Sequence, residues 1–202
     1  MNRDTLDISF RFYQNVENKL ISSSEFSELS KKCEANFSVA YANMLMDICS
    51  SFEALLKDYF SLTNDKSVNI CILIERMEND TFLNRVFDES VLTGTDYGEI
   101  QPFNRIYKSS NSTNKTFDWW ENYNKIKHNK FMNFEFATQE TILKGICALY
   151  VLNYYILYSI SNEGEINVFK NDKNYFKIKN LKTNAIGTNN NVFRIYNGEL
   201  SG

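Results

Sequence analysis

The chain has 202 residues, of which 43% are hydrophobic and 15% aromatic, with one proline and seven glycines. This length suits one sizeable core, and this composition excludes wholesale disorder. The formal net charge of −3 excludes a protein whose whole surface attracts nucleic acid. So few helix breakers favour long helices over a turn-rich sandwich or barrel. We expect a single, mainly all-α domain over residues 1–202, an up-and-down bundle of about four to six helices.

The first expected elements lie before residue 60. Residues 6–12 alternate apolar and polar side chains, which predicts a short N-terminal strand. The spacing of Ser22 and Glu25 matches a capping box and predicts the start of a long helix there. Between residues 37 and 59, apolar side chains recur every three or four positions in one stripe, which predicts a long core helix. Glu53 falls on the border of that stripe.

Later in the chain, three stretches are typical of helices and two are typical of loops. The helices are residues 68–77, a segment from Thr116 or Asp118 to about Lys130, and residues 138–160 with Thr138 as N-cap. The loops are residues 93–98 and 108–115. Residues 142–160 are apolar enough to raise a membrane span as an alternative. Lys144, Asn153 and several tyrosines interrupt that stretch, which favours a buried bundle helix and no membrane partner.

The four cysteines lie in apolar helical patterns and form no C-x-x-C pair; they are Cys33, Cys49, Cys71 and Cys147. With a single histidine in the chain, neither a zinc site nor a disulfide framework is expected. The N-terminus lacks the apolar core of a signal peptide. We therefore predict a cytoplasmic protein with no metal and no cofactor.

Residues 168–202 form a basic, aromatic C-terminal tail with six basic and two acidic residues. Residues 175–181 and 192–196 alternate apolar and polar side chains, which predicts a small β-hairpin. Lys177 and Lys179 lie in its first strand. The hairpin is a candidate RNA-contacting surface, because aromatic faces stack on bases and lysines follow phosphates. It is equally a candidate cover for one end of the bundle, or an arm exchanged in a dimer.

Residues 117–130, drawn as a helix, place polar side chains along the edge of an aromatic face. Asn124 and His128 lie one turn apart on that edge, between Phe117 and Phe131, with Lys127 nearby. An imidazole beside an amide can serve in acid–base catalysis. An ordinary packed or solvated histidine gives the same pattern, so the pattern alone predicts no function.

The string FDWWENYNKIKHNK at residues 117–130 resembles the signature helix of HEPN-like proteins. More narrowly, it is similar to a branch that reads Trp-Trp, two residues, Tyr-Asn, two residues, Lys-His. The string SFEALL at residues 51–56 resembles the first helix of HEPN bundles, and the long apolar helix after residue 137 also fits. The resemblance spans roughly residues 37–160. It implies a short helical bundle that forms a homodimer by bringing two signature helices together.

Many HEPN proteins are metal-independent ribonucleases of toxin–antitoxin, phage-defence or RNA-processing systems. Their signature is an arginine followed, after four to six residues, by a histidine, with a polar residue directly after the arginine. The resemblance therefore implies that His128 is the catalytic histidine and Asn124 the polar residue, whereas Tyr123 stands in the arginine position. Tyrosine carries no positive charge at neutral pH, so Lys125, Lys127 or the partner subunit's copies of these lysines are expected to stabilise the charge on the reacting phosphate. Lys125 projects to the solvent side of the helix, which favours Lys127.

The remaining predicted site residues have competing interpretations. Glu53 is expected either near His128, as acidic residues of that helix are in the family, or in a solvated pair with Lys57 one turn later. Lys125 and Lys130, like the lysines of the tail, are candidate RNA contacts.

Three functions follow from these observations. The first is an RNA-cleaving enzyme, and the second a catalytically silent HEPN-like module that dimerises and binds a nucleotide, RNA or a protein partner such as an antitoxin. The third is a structural helical bundle. The missing arginine favours the second over the first, and the polar edge of the signature helix favours either over the third.

Overall fold

The computed structural model of the protein describes residues 3–107, 115–160 and 176–179. These residues form a mainly α-helical fold, as the composition predicted. Its helices are α1 (Arg3–Ser23), α2 (Val39–Tyr59), α3 (Ile70–Asn79), α4 (Asp118–His128), α5 (Lys130–Asn133) and α6 (Gln139–Ile160). Its strands are β1 (Val91–Thr93), β2 (Glu99–Ile100), β3 (Arg105–Tyr107), β4 (Lys115–Phe117) and β5 (Phe176–Ile178).

Helices α1, α2, α4 and α6 pack together around one core. The rings of Phe10 and Tyr13 in α1 contact those of Tyr154 and Tyr150 in α6, so these two helices run antiparallel. A bridge between the residues just before α2 and just before α6 places the beginnings of these two helices side by side. Asp118 and Asn122 of α4 contact Lys144 and Thr141 of α6, so α4 also runs antiparallel to α6. The four helices therefore alternate in direction, as in an up-and-down bundle.

The prediction of an N-terminal strand at residues 6–12 is wrong, because these residues lie inside α1. The buried hydrophobic residues of α1 recur at helical spacing; they are Leu6, Phe10, Tyr13, Val16 and Leu20. Ile8 and Phe12 produced the alternation, and both are about half exposed. A window of seven residues could not separate the two periods, whereas the whole of α1 does.

The predicted helix start at Ser22 is also wrong, since α1 ends at Ser23. The hydroxyls of Ser23 and Ser24 donate hydrogen bonds back to the carbonyls of Leu20 and Ile21. These serines therefore satisfy free carbonyls at the end of a helix rather than free N–H groups at the start of one.

The expected long core helices are confirmed. In α2, Ser38 is the N-cap, and its hydroxyl accepts a hydrogen bond from the N–H of Tyr41. Thr138 caps α6 in the same way, through the N–H of Thr141 at 3.2 Å. By length and composition α6 could cross a membrane, but 83% of that stretch is buried inside the bundle, which favours its interpretation as a core helix.

Two small antiparallel sheets lie beside the bundle. One has the strand order β2-β1-β5, and the other pairs β3 with β4. The predicted strand near residue 176 is confirmed as β5, but β5 pairs with β1. The predicted partner, residues 192–196, lies outside the described residues, as does most of the loop at 108–115. The loop predicted at 93–98 contains the turn between β1 and β2, where Gly98 adopts a φ of 67°.

Candidate functional site

The N-terminal half of α4 is fixed to the bundle by hydrogen bonds and ring contacts. The indole N–H of Trp119 donates to the carbonyl of Pro102 at 2.8 Å, and its ring stacks on that of Phe117. Asp118 forms an ion pair with Lys144 of α6 at 2.7 Å. The buried face of α4 comprises Trp119, Trp120, Tyr123 and Ile126. The paired tryptophans are therefore core residues that hold the helix in place.

Tyr123, in the position where the family pattern has arginine, is buried on this face. Burial raises the pKa of its hydroxyl, and the nearby Lys127 ammonium lowers it, with a net upward shift. The Lys127 nitrogen lies 5.4 Å from the centre of the Tyr123 ring. Tyr123 thus stays neutral at physiological pH and offers no positive charge to a ligand.

Glu53 forms an ion pair with Lys57 at 2.6 Å, which is the pairing that its spacing in α2 predicted. Its negative charge also acts on the groups of α4, since it contributes to raising the pKa of Tyr123. Within residues 3–107, 115–160 and 176–179, no hydrogen bond or ion pair joins Glu53 to His128. The structure therefore brings Glu53, Tyr123 and Lys127 together, and it places His128 outside that cluster.

Cys49 is a member of this cluster that the sequence did not single out. Its thiol is fully buried on α2, and burial raises its pKa well above the usual range, with Glu53 adding to the effect and Lys127 opposing it. The spacing of Cys49 and Glu53, one turn apart on α2, was the only signal that could have connected them. The thiol therefore stays protonated and is no nucleophile.

Asn124 and His128 lie on the outer edge of α4, as the helical wheel predicted. The Asn124 side chain is half-buried, and its amide donates to Glu121 at 3.4 Å. His128 is the last residue of the helix, and its side chain is exposed. No hydrogen bond to its ring is formed by the part of the chain that the structure describes. The imidazole is thus accessible to a ligand approaching the end of α4.

Three lysines surround this end of α4, and each nitrogen has a neutral partner. The Lys125 nitrogen lies 4.1 Å from the centre of the Phe136 ring. Lys130 donates to the amide oxygen of Asn43 in α2. Lys127 lies over the ring of Tyr123. Among the described residues, none of the three lysines forms an ion pair, whereas most other lysines that contact a side chain contact a carboxylate. The end of α4 therefore carries positive charge that no direct ion pair with a described residue neutralises.

The two tail lysines named as RNA contacts lie elsewhere, on and just after β5. Lys177 is exposed and pairs in register with Leu92 of β1. Lys179 forms an ion pair with Glu99 at 2.6 Å. These lysines belong to the small sheet, and the charge of Lys179 is already balanced. The predicted RNA contacts are therefore divided between two places, the end of α4 and the small sheet, of which the end of α4 has the stronger positive charge.

No family model, curated protein or solved structure matches this chain. The resemblance of α4 to the HEPN signature helix consequently stays a prediction. Over the described ranges, no group of three or more His, Cys, Asp or Glu side chains is arranged to hold a metal ion. All four cysteines are free thiols.

Proposed function

We propose that this protein is a HEPN-like, homodimeric RNA-binding domain whose site is the C-terminal end of α4. One observation carries the proposal: Lys125, Lys127 and Lys130 lie within six residues, all are exposed, and their partners are neutral. Three exposed lysines that form no direct ion pair with a described residue, next to an exposed imidazole, suit a polyanion, because each phosphate bound releases a counterion. The resemblance supplies the choice of RNA and of the dimer.

A second candidate, cleavage of the bound RNA, is favoured by the exposed position of His128. In that reaction the imidazole accepts the proton of a ribose 2′-hydroxyl while its oxygen forms a bond to the adjacent phosphorus. The bond from phosphorus to the 5′-oxygen breaks, and that oxygen takes up a proton from water as it leaves. Lys127 would stabilise the negative charge on the phosphate, and Asn124 would donate a hydrogen bond to it. Tyr123 is buried and neutral, so it supplies no positive charge to the phosphate. We therefore propose RNA binding as the first function and cleavage as the second.

Binding is tested by fluorescence anisotropy with a labelled single-stranded RNA at several salt concentrations. The variant is the triple substitution Lys125→Gln, Lys127→Gln and Lys130→Gln. Its matched control replaces three lysines elsewhere: Lys19, Lys32 and Lys66. We expect the variant to weaken binding at least about tenfold and to reduce the slope of log K against log salt by about 2, at about 0.7 per phosphate contact on single strands.

An unchanged affinity in the α4 variant, or an equal loss in the control, would show that the RNA does not bind at this end of the bundle. Cleavage is tested separately, with total RNA and tRNA in EDTA on a denaturing gel. RNA that is cut by the parent and not by His128→Ala would identify a metal-independent nuclease. RNA that is bound but not cut would support a binding module without catalytic activity.

The homodimer is tested by sedimentation, in which we expect twice the mass of the chain. A monomer at concentrations well above micromolar would contradict this part of the proposal.

A further inference from the structure

Two large apolar side chains project into solvent directly after the site. Phe131 is 92% exposed and Met132 is 70% exposed, although both belong to the short helix α5. This helix is held on both sides. The side-chain amide of Asn133 donates to the carbonyl of Lys125 at 2.8 Å, and Lys130 binds Asn43 of α2. The outward position of Phe131 is therefore built into the fold.

The other phenylalanine rings of this corner already have partners. Lys125 covers the ring of Phe136, and the ring of Phe134 meets that of Phe37 in an edge-on contact at 5.4 Å between centres. Over the described part of the chain, the ring of Phe131 contacts no other ring and no cation. It is thus an open aromatic surface, three residues after His128.

A flat apolar ring beside lysines that form no direct ion pair with a described residue has a particular chemical complement. A nucleobase stacks on such a ring while the phosphates on either side of it bind the lysines. Only an unpaired base has a free face to offer, because the bases of a duplex are stacked on one another. An apolar peptide would match Phe131 but would leave the charges of Lys127 and Lys130 unmatched. Charge complementarity therefore favours a nucleic acid strand over a protein as the occupant.

We propose that Phe131 stacks on an unpaired base and so makes the site selective for single-stranded RNA. This inference rests on the proposed function and adds the substrate class and the residue that selects it. Phe131 acts here as a specificity-determining residue, whereas the lysines bind any phosphate backbone, single-stranded or double-stranded.

The experiment compares a labelled 12-nucleotide single-stranded RNA with its fully paired duplex, by anisotropy. The variants are Phe131→Ala and Phe131→Trp, and the control is Phe12→Ala, which removes a half-exposed phenylalanine from α1. We expect Phe131→Ala to weaken single-strand binding by about fivefold to about a hundredfold, the range for loss of one stacked base. Phe131→Trp retains a stacking surface and should restore the affinity. Duplex binding and the control should be unchanged.

Three results would overturn the inference, and they are distinguishable. If the parent binds neither RNA, the proposed function fails together with it. If the parent binds RNA, and Phe131→Ala binds the single strand and the duplex as tightly as the parent does, only the stacking role fails. If sedimentation shows that Phe131→Ala dissociates a dimer or alters a protein complex, and the lost affinity follows the lost mass, Phe131 is a protein contact instead.

Discussion

Replacing Gln139 by leucine should destabilise the bundle strongly, because this buried side chain connects four parts of the fold. Its carbonyl oxygen accepts from the backbone N–H of Ser30 at 3.2 Å and from the Tyr97 hydroxyl at 2.8 Å. Its amide nitrogen donates to the carbonyl of Glu28 at 3.0 Å and to the Tyr41 hydroxyl at 3.2 Å. Gln139 itself is fully buried. One amide thus joins the segment after α1, helix α2, the turn between β1 and β2, and the start of α6.

The size of the expected loss in the free energy of unfolding follows from the polar groups that lose their hydrogen-bond partners. Leucine fills nearly the same volume but makes none of the four hydrogen bonds. Ser30, Tyr41 and Tyr97 are themselves buried, so water reaches their polar groups poorly. A buried polar group left without a partner costs about 1–3 kcal/mol, and the greater hydrophobicity of leucine offsets part of the sum. We expect a loss of about 2–4 kcal/mol in the free energy of unfolding.

The assay is urea unfolding of the parent, Gln139→Leu, and the control Gln101→Leu, in which the replaced glutamine is exposed. A shift of the midpoint with an unchanged m-value reports stability alone. A loss below about 1 kcal/mol for Gln139→Leu, or an equal loss in the control, would show that the four hydrogen bonds of Gln139 do not stabilise the bundle to this extent.

Three further predictions concern the helices of the core. A Cβ at Gly145 would lie 3.2 Å from Ile48 and 3.4 Å from Trp119, both of which are buried. Gly145→Ala should therefore lower the free energy of unfolding by about 1 kcal/mol, although alanine has the better helix propensity. A variant that is more stable in thermal unfolding would contradict this. Thr138→Ala removes the N-cap of α6 and should cost about 1 kcal/mol in urea unfolding, whereas Thr138→Ser should cost little. Burial raises the pKa of Tyr13 well above its usual value of about 10, so the stability it contributes is present below pH 10 and is lost as the pH rises further, by about 1.4 kcal/mol per pH unit. Between pH 10 and 11, the free energy of unfolding of Tyr13→Phe should therefore fall less steeply with pH than that of the parent. An unchanged slope would show that Tyr13 does not cause this loss of stability.

The sequence predicted the elements whose patterns are long and uninterrupted. The apolar stripe of α2 extends over about six turns, so its helix was recognised with its border residue Glu53 in place. The seven-residue alternation at the start of α1 is too short to distinguish a strand from a helix, and its two-residue period wrongly predicts a strand. Periodicity is thus a reliable guide only over stretches of several turns.

The candidate site was predicted in part, because helical spacing fixes neighbours on one helix but not between helices. Asn124 and His128 lie on one edge of α4, as expected. The approach of Cys49 in α2 to this helix depends on how the two helices cross, which no spacing encodes. The outward position of Phe131 depends on the break at Asn129, after which the wheel drawn for α4 no longer applies.

The proposed RNA site at the end of α4 is tested most directly by ultraviolet crosslinking of the full chain to a single-stranded RNA that contains 4-thiouridine. Tryptic peptides that carry the crosslink are then identified by mass spectrometry. We predict that the crosslink lies in the peptide of residues 131–144, which begins at Phe131 directly after the three lysines. Crosslinks confined to peptides of other elements, or none at saturating RNA, would contradict an RNA site at the end of α4.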